Sequence, residues 1–178
     1  MPCHTLIAGI GSHHGDDQFG WLAARAAADA WARLPARTHP PSDANTRSDP
    51  QVQLAKSPAD LLDWLEGIDR LIVCDACREN APTATLRRFE WPAAAIESTE
   101  FSGSHDLDLA TVLHLAAELK QLPAQTVVWA VTGTRFEPDA PVSPEIVQAA
   151  AEVGRKIADE IEDNARHASH TRTCSGSK

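Results

Sequence analysis

The chain has 178 residues, 43% of them apolar, and 25 acidic against 16 basic side chains give a formal net charge of −9. That length suits one domain with a real core, and the acidic balance excludes a general nucleic-acid binder, which would need a basic face. No apolar run reaches the ~18 residues of a membrane span, and the N-terminus MPCHTLIAGIG lacks a charged leader, so a cytoplasmic protein is expected.

His4–Ile10 is a short apolar run closed by Gly9-Ile10-Gly11 and reads as a buried strand. Phe19–Leu34 is rich in Ala, with Leu22, Ala26 and Trp31 on related faces, and reads as a helix. Residues 35–50, rich in Pro, Ser, Asp and Asn, read as a mobile loop insertion. A short strand follows at Val52–Ala55. Ser57-Pro58-Ala59-Asp60 then carries the marks of a helix start: a capping Ser, a Pro for the first helical position and an Asp to complete a capping box. That helix is expected to run to Gly67. Leu71-Ile72-Val73-Cys74 is a continuous apolar run, as in a strand covered on both faces. Thr83–Phe89, flanked by Pro82 and Pro92, reads as an edge strand. Leu107–Leu119 has Leu109, Val112, Leu113 and Ala116 at helical spacing, and Thr126–Val131 is another buried strand. Ser143-Pro144-Glu145 opens the last helix, whose stripe is Ile146, Ala150, Val153, Ile157 and Ile161. From Asn164 the chain turns polar, so a single domain over 1–163 and a flexible tail over 164–178 are expected. Strands alternating with helices predict an α/β three-layer sandwich, with a mostly parallel twisted sheet of about five strands and helices on both faces.

In such a sheet ligands bind outside the carboxyl ends of the strands. Three polar clusters fall at or soon after such ends: Ser12–Asp17, Asp75, and Ser104-His105-Asp106. A dinucleotide fingerprint fits the first poorly. The glycines run Gly9-x-Gly11-x-x-x-Gly15, no acid ends Val52–Ala55, and Asp16 and Asp17 would repel a phosphate at the helix start. One of the two acids can cap the helix; Asp16 is read as the cap and Asp17 as free to face a site. Asp75 and His105 each read singly as a solvated loop acid and a hydrogen-bonded loop histidine. Together with Asp17 they make a plausible set for a divalent metal such as zinc or nickel, with other positions left to water or substrate. His13 and His14 can ligate, donate protons or simply shape their loop. Cys74 and Cys77 form C-x-x-C, but Cys74 lies in an apolar strand rather than at a helix start, which argues against redox catalysis and leaves Cys77 as a soft ligand at most. Four cysteines, Cys3, Cys74, Cys77 and Cys174, make no disulfide framework for a chain this long. His167, His170 and Cys174 are metal-like in composition within a tail expected to be disordered.

With these residues in view, the chain resembles the NiFe-hydrogenase maturation endopeptidases. Ile7–Gly20 is similar to that family's glycine turn followed by an acidic pair and a further Gly. Leu71-Ile72-Val73-Cys74-Asp75-Ala76 resembles its apolar strand ending in Asp-Ala. Ser104-His105-Asp106-Leu107-Asp108-Leu109-Ala110-Thr111-Val112-Leu113 resembles its histidine before a helix, and Glu137-Pro138 with Val142-Ser143-Pro144 resembles the lead into its last helix. The chain departs from the pattern at Ser12-His13-His14-Gly15 and at Gln18. The resemblance implies an endopeptidase that cuts a C-terminal extension from a hydrogenase large-subunit precursor once nickel is inserted. It implies Asp17, Asp75 and His105 as the catalytic and metal-gripping residues. Nickel would come with the substrate, and no tightly bound metal is expected in the free enzyme. Neither nucleic acid nor membrane is an expected partner. A non-cleaving chaperone or regulator of the same fold, and a nucleotide-binding domain, are the competing readings.

Overall fold

A computed structural model describes residues 3–34, 49–101 and 107–173. The expected loop insertion lies almost wholly outside these, as does His105. Strand β1 (Thr5–Ile10) is buried along its whole length because it has a strand on each side and helices on both faces. It runs parallel to β2 (Gln51–Ala55) and to β3 (Arg70–Arg78). Beyond β3 lies β6 (Gln125–Thr132), also parallel, and β4 (Leu86–Glu90) closes that edge antiparallel. The order is β2-β1-β3-β6-β4. The predicted edge strand is therefore at an edge, shifted a little toward the C-terminus. A sixth strand, β5 (Glu100–Phe101), pairs antiparallel with the end of β3. It is too short for any periodicity to announce it.

Two apolar layers enclose the sheet. On one face helices α1 (Phe19–Arg33) and α4 (Pro144–Thr173) pack on each other and on Ile7, Ile72, Val127 and Trp129. On the other, α3 (Leu109–Glu118) and a 3₁₀ helix (Pro58–Asp63) cover Leu6, Leu71, Val73 and Val128. The short helix α2 (Ala94–Glu97) adds Ile96 to that second layer. The capping box at Ser57 and Asp60 is present, but it opens a 3₁₀ helix that stops at Asp63 rather than a longer α-helix. Helix α4 runs to Thr173, past the Asn164 at which its apolar stripe ends. It is tied to the sheet by a buried ion pair. Arg70, 4% exposed, donates from Nη2 to Glu160 Oε2 at 3.0 Å, and Arg88 Nε donates to Glu160 Oε1 at 2.9 Å. Among the described residues no helix is long and apolar enough to cross a membrane.

The sequence reading ends the third strand at Cys74, but β3 continues to Arg78. Pairing decides this. β6 follows β3 through Cys77↔Thr132, and β5 takes its other edge at Cys77↔Phe101. Asp75 is therefore inside a strand and fully buried, not in a solvated loop just beyond one.

Candidate functional site

The sheet splits at Asp75. β1 pairs with β3 only as far as Gly9↔Cys74. β5 occupies that same edge of β3 from Cys77 onward, since the opposite edge of Cys77 belongs to Thr132 of β6. Between the two, Asp75 and Ala76 pair with Ala130 and Val131 of β6 alone. The result is a crevice at the carboxyl ends of parallel strands, the place where open α/β sheets bind ligands. Ile72, Cys74 and Ala76 belong to the layer of α1 and α4, and Leu71 and Val73 to the layer of α3. Strand alternation puts Asp75 and Cys77 on the α3 side.

The turn that carries Asp17 is brought against β3 from the end of β1. After Ile10, Gly11 donates its N–H to Ala55 O at 3.1 Å, and the chain winds into a 3₁₀ turn, Gly15–Gln18, that packs against β3. The first turn of α1 lies directly on the parting strands. A Cβ on Gly20 would sit 2.0 Å from Ile10 O and 2.4 Å from Cys74 O, so no other residue fits there. Asp17, just ahead of it, is 8% exposed. The third predicted residue, His105, lies outside the described residues. The chain enters segment 102–106 from Phe101, which is paired to Cys77, and leaves it into α3, which packs on the Asp75 side of the sheet. Asp108 caps α3, its Oδ1 accepting Thr111 N–H at 2.7 Å. Among the described residues no three His, Cys, Asp or Glu side chains gather as a metal-holding group.

Asp16 does not cap. The N-cap position of its turn is His14, with no side-chain cap bond, and Gln18 before α1 makes none either. The Asp16 carboxylate reaches instead across to the segment after β6. Its Oδ2 accepts the N–H groups of Thr134 at 2.8 Å and Arg135 at 3.0 Å, and its Oδ1 that of Ser143 at 2.9 Å. Burial alone would raise its pKa, but these donors outweigh burial and hold it below the ordinary carboxylate value. This role has no local signature in the sequence, because its partners lie far along the chain.

The two histidines of the first loop are packed as parts of it. His14 Nδ1 accepts the Asp139 N–H at 3.2 Å, and the His13 ring stands edge-on to Trp21 at 4.8 Å between centroids. Cys74 and Cys77 are free, buried, and on opposite faces of β3, so they form no redox pair. Burial, and then the nearby Glu79, push the Cys77 thiol up to about 12, which keeps it protonated at neutral pH. A cavity of ≈ 300 Å³ opens at the other end of the sheet, lined by Arg70, Arg88 and Trp91 among others. Its two cations are already paired with Glu160, so the strand-end crevice is the better candidate.

A family model described as hydrogenase maturation protease, HycI, matches residues 54–163, more than half of the chain. No curated protein matches the chain. Among solved structures, the chain is similar to the hydrogenase maturating endopeptidase HybD from E. coli, with a TM-score of 0.67 at 17% identity over 90% of this chain and 93% of that one. The [NiFe] hydrogenase maturation protease HycI from Thermococcus kodakarensis KOD1 gives 0.64 at 18% identity, over 89% and 92%. HybD from Thermococcus kodakarensis gives 0.63 at 18%, over 89% and 98%. At such identities these likenesses show the fold.

Proposed function

This chain belongs to the hydrogenase maturation protease family, and from that premise we propose that it is an endopeptidase removing a C-terminal extension from a nickel-loaded hydrogenase large-subunit precursor. The observation that carries the reading is the crevice itself. The turn bearing Asp17 packs against the strand bearing Asp75 where β1 and β3 part. In this reading Asp17, Asp75 and His105 take hold of the nickel that the precursor presents, so the metal is part of the substrate. The donor set fits a divalent first-row ion and leaves coordination positions for the client. The ion's contribution would be to polarise the scissile carbonyl and acidify an attacking water. The chain's own contribution is to fix the ligands on a strand and on a turn, and to take the water's proton on a carboxylate. The water oxygen bonds to the carbonyl carbon as that proton leaves, the C–N bond then breaks, and the proton passes to the leaving amine. A precursor without nickel has nothing for these residues to hold, so cleavage is confined to loaded clients.

The test is substitution at each position. Asp17→Asn, Asp75→Asn and His105→Ala are each expected to lower cleavage of a nickel-loaded precursor by at least about a hundredfold. Far-ultraviolet circular dichroism and the melting midpoint should stay close to those of the unaltered protein. Normal cleavage by the Asp75 and His105 variants would remove the assignment. A stable complex with the precursor and no cleavage by the unaltered protein would favour a chaperone.

A further inference from the structure

We propose that Asp16 is a positioning residue: its buried carboxylate locks segment 133–143 onto the Gly15–Gln18 turn and thereby sets Asp17. The inference rests on the reading of Asp17 as a site carboxylate, but different observations carry it. Each residue from His14 to Asp16 is tied to that segment. His14 accepts from Asp139, Gly15 N–H donates to Ala140 O at 2.9 Å, and Asp16 N–H donates to Arg135 O at 2.7 Å. The carboxylate of Asp16 adds three further bonds to Thr134, Arg135 and Ser143. Bonds to an ionised acceptor are about twice as strong as neutral ones. Asp17, by contrast, is held by the turn, its N–H donating to His14 O at 3.1 Å. Its position therefore follows from that of His14, which the clamp fixes.

The fit is tight. Gly15 has φ +51°, and a Cβ there would lie 2.1 Å from Arg135 O. Segment 133–143 has no strand or helix to order it. Its other ties include Gly133 N–H to Cys77 O, a hydroxyl bond between Thr83 and Thr134 at 3.3 Å, an internal turn from Ala140 to Glu137, Ser143 O accepting from Ile146 and Val147, the Arg78 guanidinium over the Phe136 ring at 4.0 Å, and Phe136 and Val142 packed on the core. The two neighbouring acids thus have different duties. Asp16 serves its own chain, and Asp17 is placed by the result.

Two variants break the clamp from opposite sides. Asp16→Asn keeps the shape but sets an NH₂ group against at least one N–H donor, and Gly15→Ala leaves both acids in place but drives a methyl into Arg135 O. Amide hydrogen exchange by NMR on the full chain is the primary readout. In both variants the amides of Thr134, Arg135, Ser143 and Asp17 should lose protection together, by about tenfold or more, while Val128 and Trp129 in β6 keep theirs. Turnover of nickel-loaded precursor should fall by a similar factor with KM nearly unchanged. Ile157→Val, a mild core change in α4, should lower stability without changing turnover per folded molecule. Unchanged exchange at Asp17 and unchanged turnover in both variants would overturn the proposal, as would an equal loss of protection throughout β6. If the unaltered protein cleaves no precursor, the protease reading fails, and exchange at Asp17 still decides the clamp.

Discussion

Asp16 and Asp17 are neighbours of the same chemical type, and what each carboxylate meets separates them. Asp16 is fully buried and wrapped by three backbone N–H groups, so its charge belongs to the fold. The consequence is a dependence on acid. Its pKa lies below the ordinary 3.8 in the folded protein, so it adds stability above the unfolded pKa and loses it as pH falls through the folded value. Asp16→Asn should be less stable than the unaltered protein at neutral pH, and the gap should narrow below about pH 4. Urea denaturation across that range reads the gap, and a constant gap would contradict the assignment. Asp17 and Asp75 were nameable from the sequence as candidates because each follows an apolar run at a strand end, and His105 as a histidine in the loop before a helix; the family resemblance joined the three into one proposed site. The role of Asp16 was not nameable in this way. Helix capping is a local pattern, and here distant partners at Thr134, Arg135 and Ser143 win the carboxylate.

At the scale of elements, the long apolar runs were legible and their ends were not. β3 outlasts its apolar stretch because β6 and β5 continue to pair it, which takes Asp75 into the strand. The same pairing leaves Asp75 beside the split between β1 and β5. The 3₁₀ helix at Pro58 kept its predicted cap but not its predicted length. Helix α4 was legible from its stripe, while its tie to the sheet was hidden, since Arg70 and Glu160 lie far apart in sequence. Arg70 is 4% exposed, so removing its partner strands a buried charge. Glu160→Ala should cost about 3 kcal/mol in urea denaturation, whereas Arg88→Ala, on the exposed side of the same pair, should cost about 1 kcal/mol or less. Equal effects would show that burial of Arg70 does not set the cost.

For the whole molecule, alternation of strand and helix was enough to predict a mostly parallel sheet with helices on both faces. It was not enough to predict the order β2-β1-β3-β6-β4, which creates the crevice. That order brings the turn after β1 against the middle strand, and the family to which the chain belongs gives the arrangement a chemistry. In the function proposed above, nickel in the client is held before the peptide bond is cut. The direct measurement is the mass of a hydrogenase large-subunit precursor after incubation with the full chain, nickel-loaded in one sample and nickel-free in the other. The C-terminal extension should be lost from the loaded precursor alone. Equal cleavage of both, or an intact loaded precursor, would contradict the proposed function.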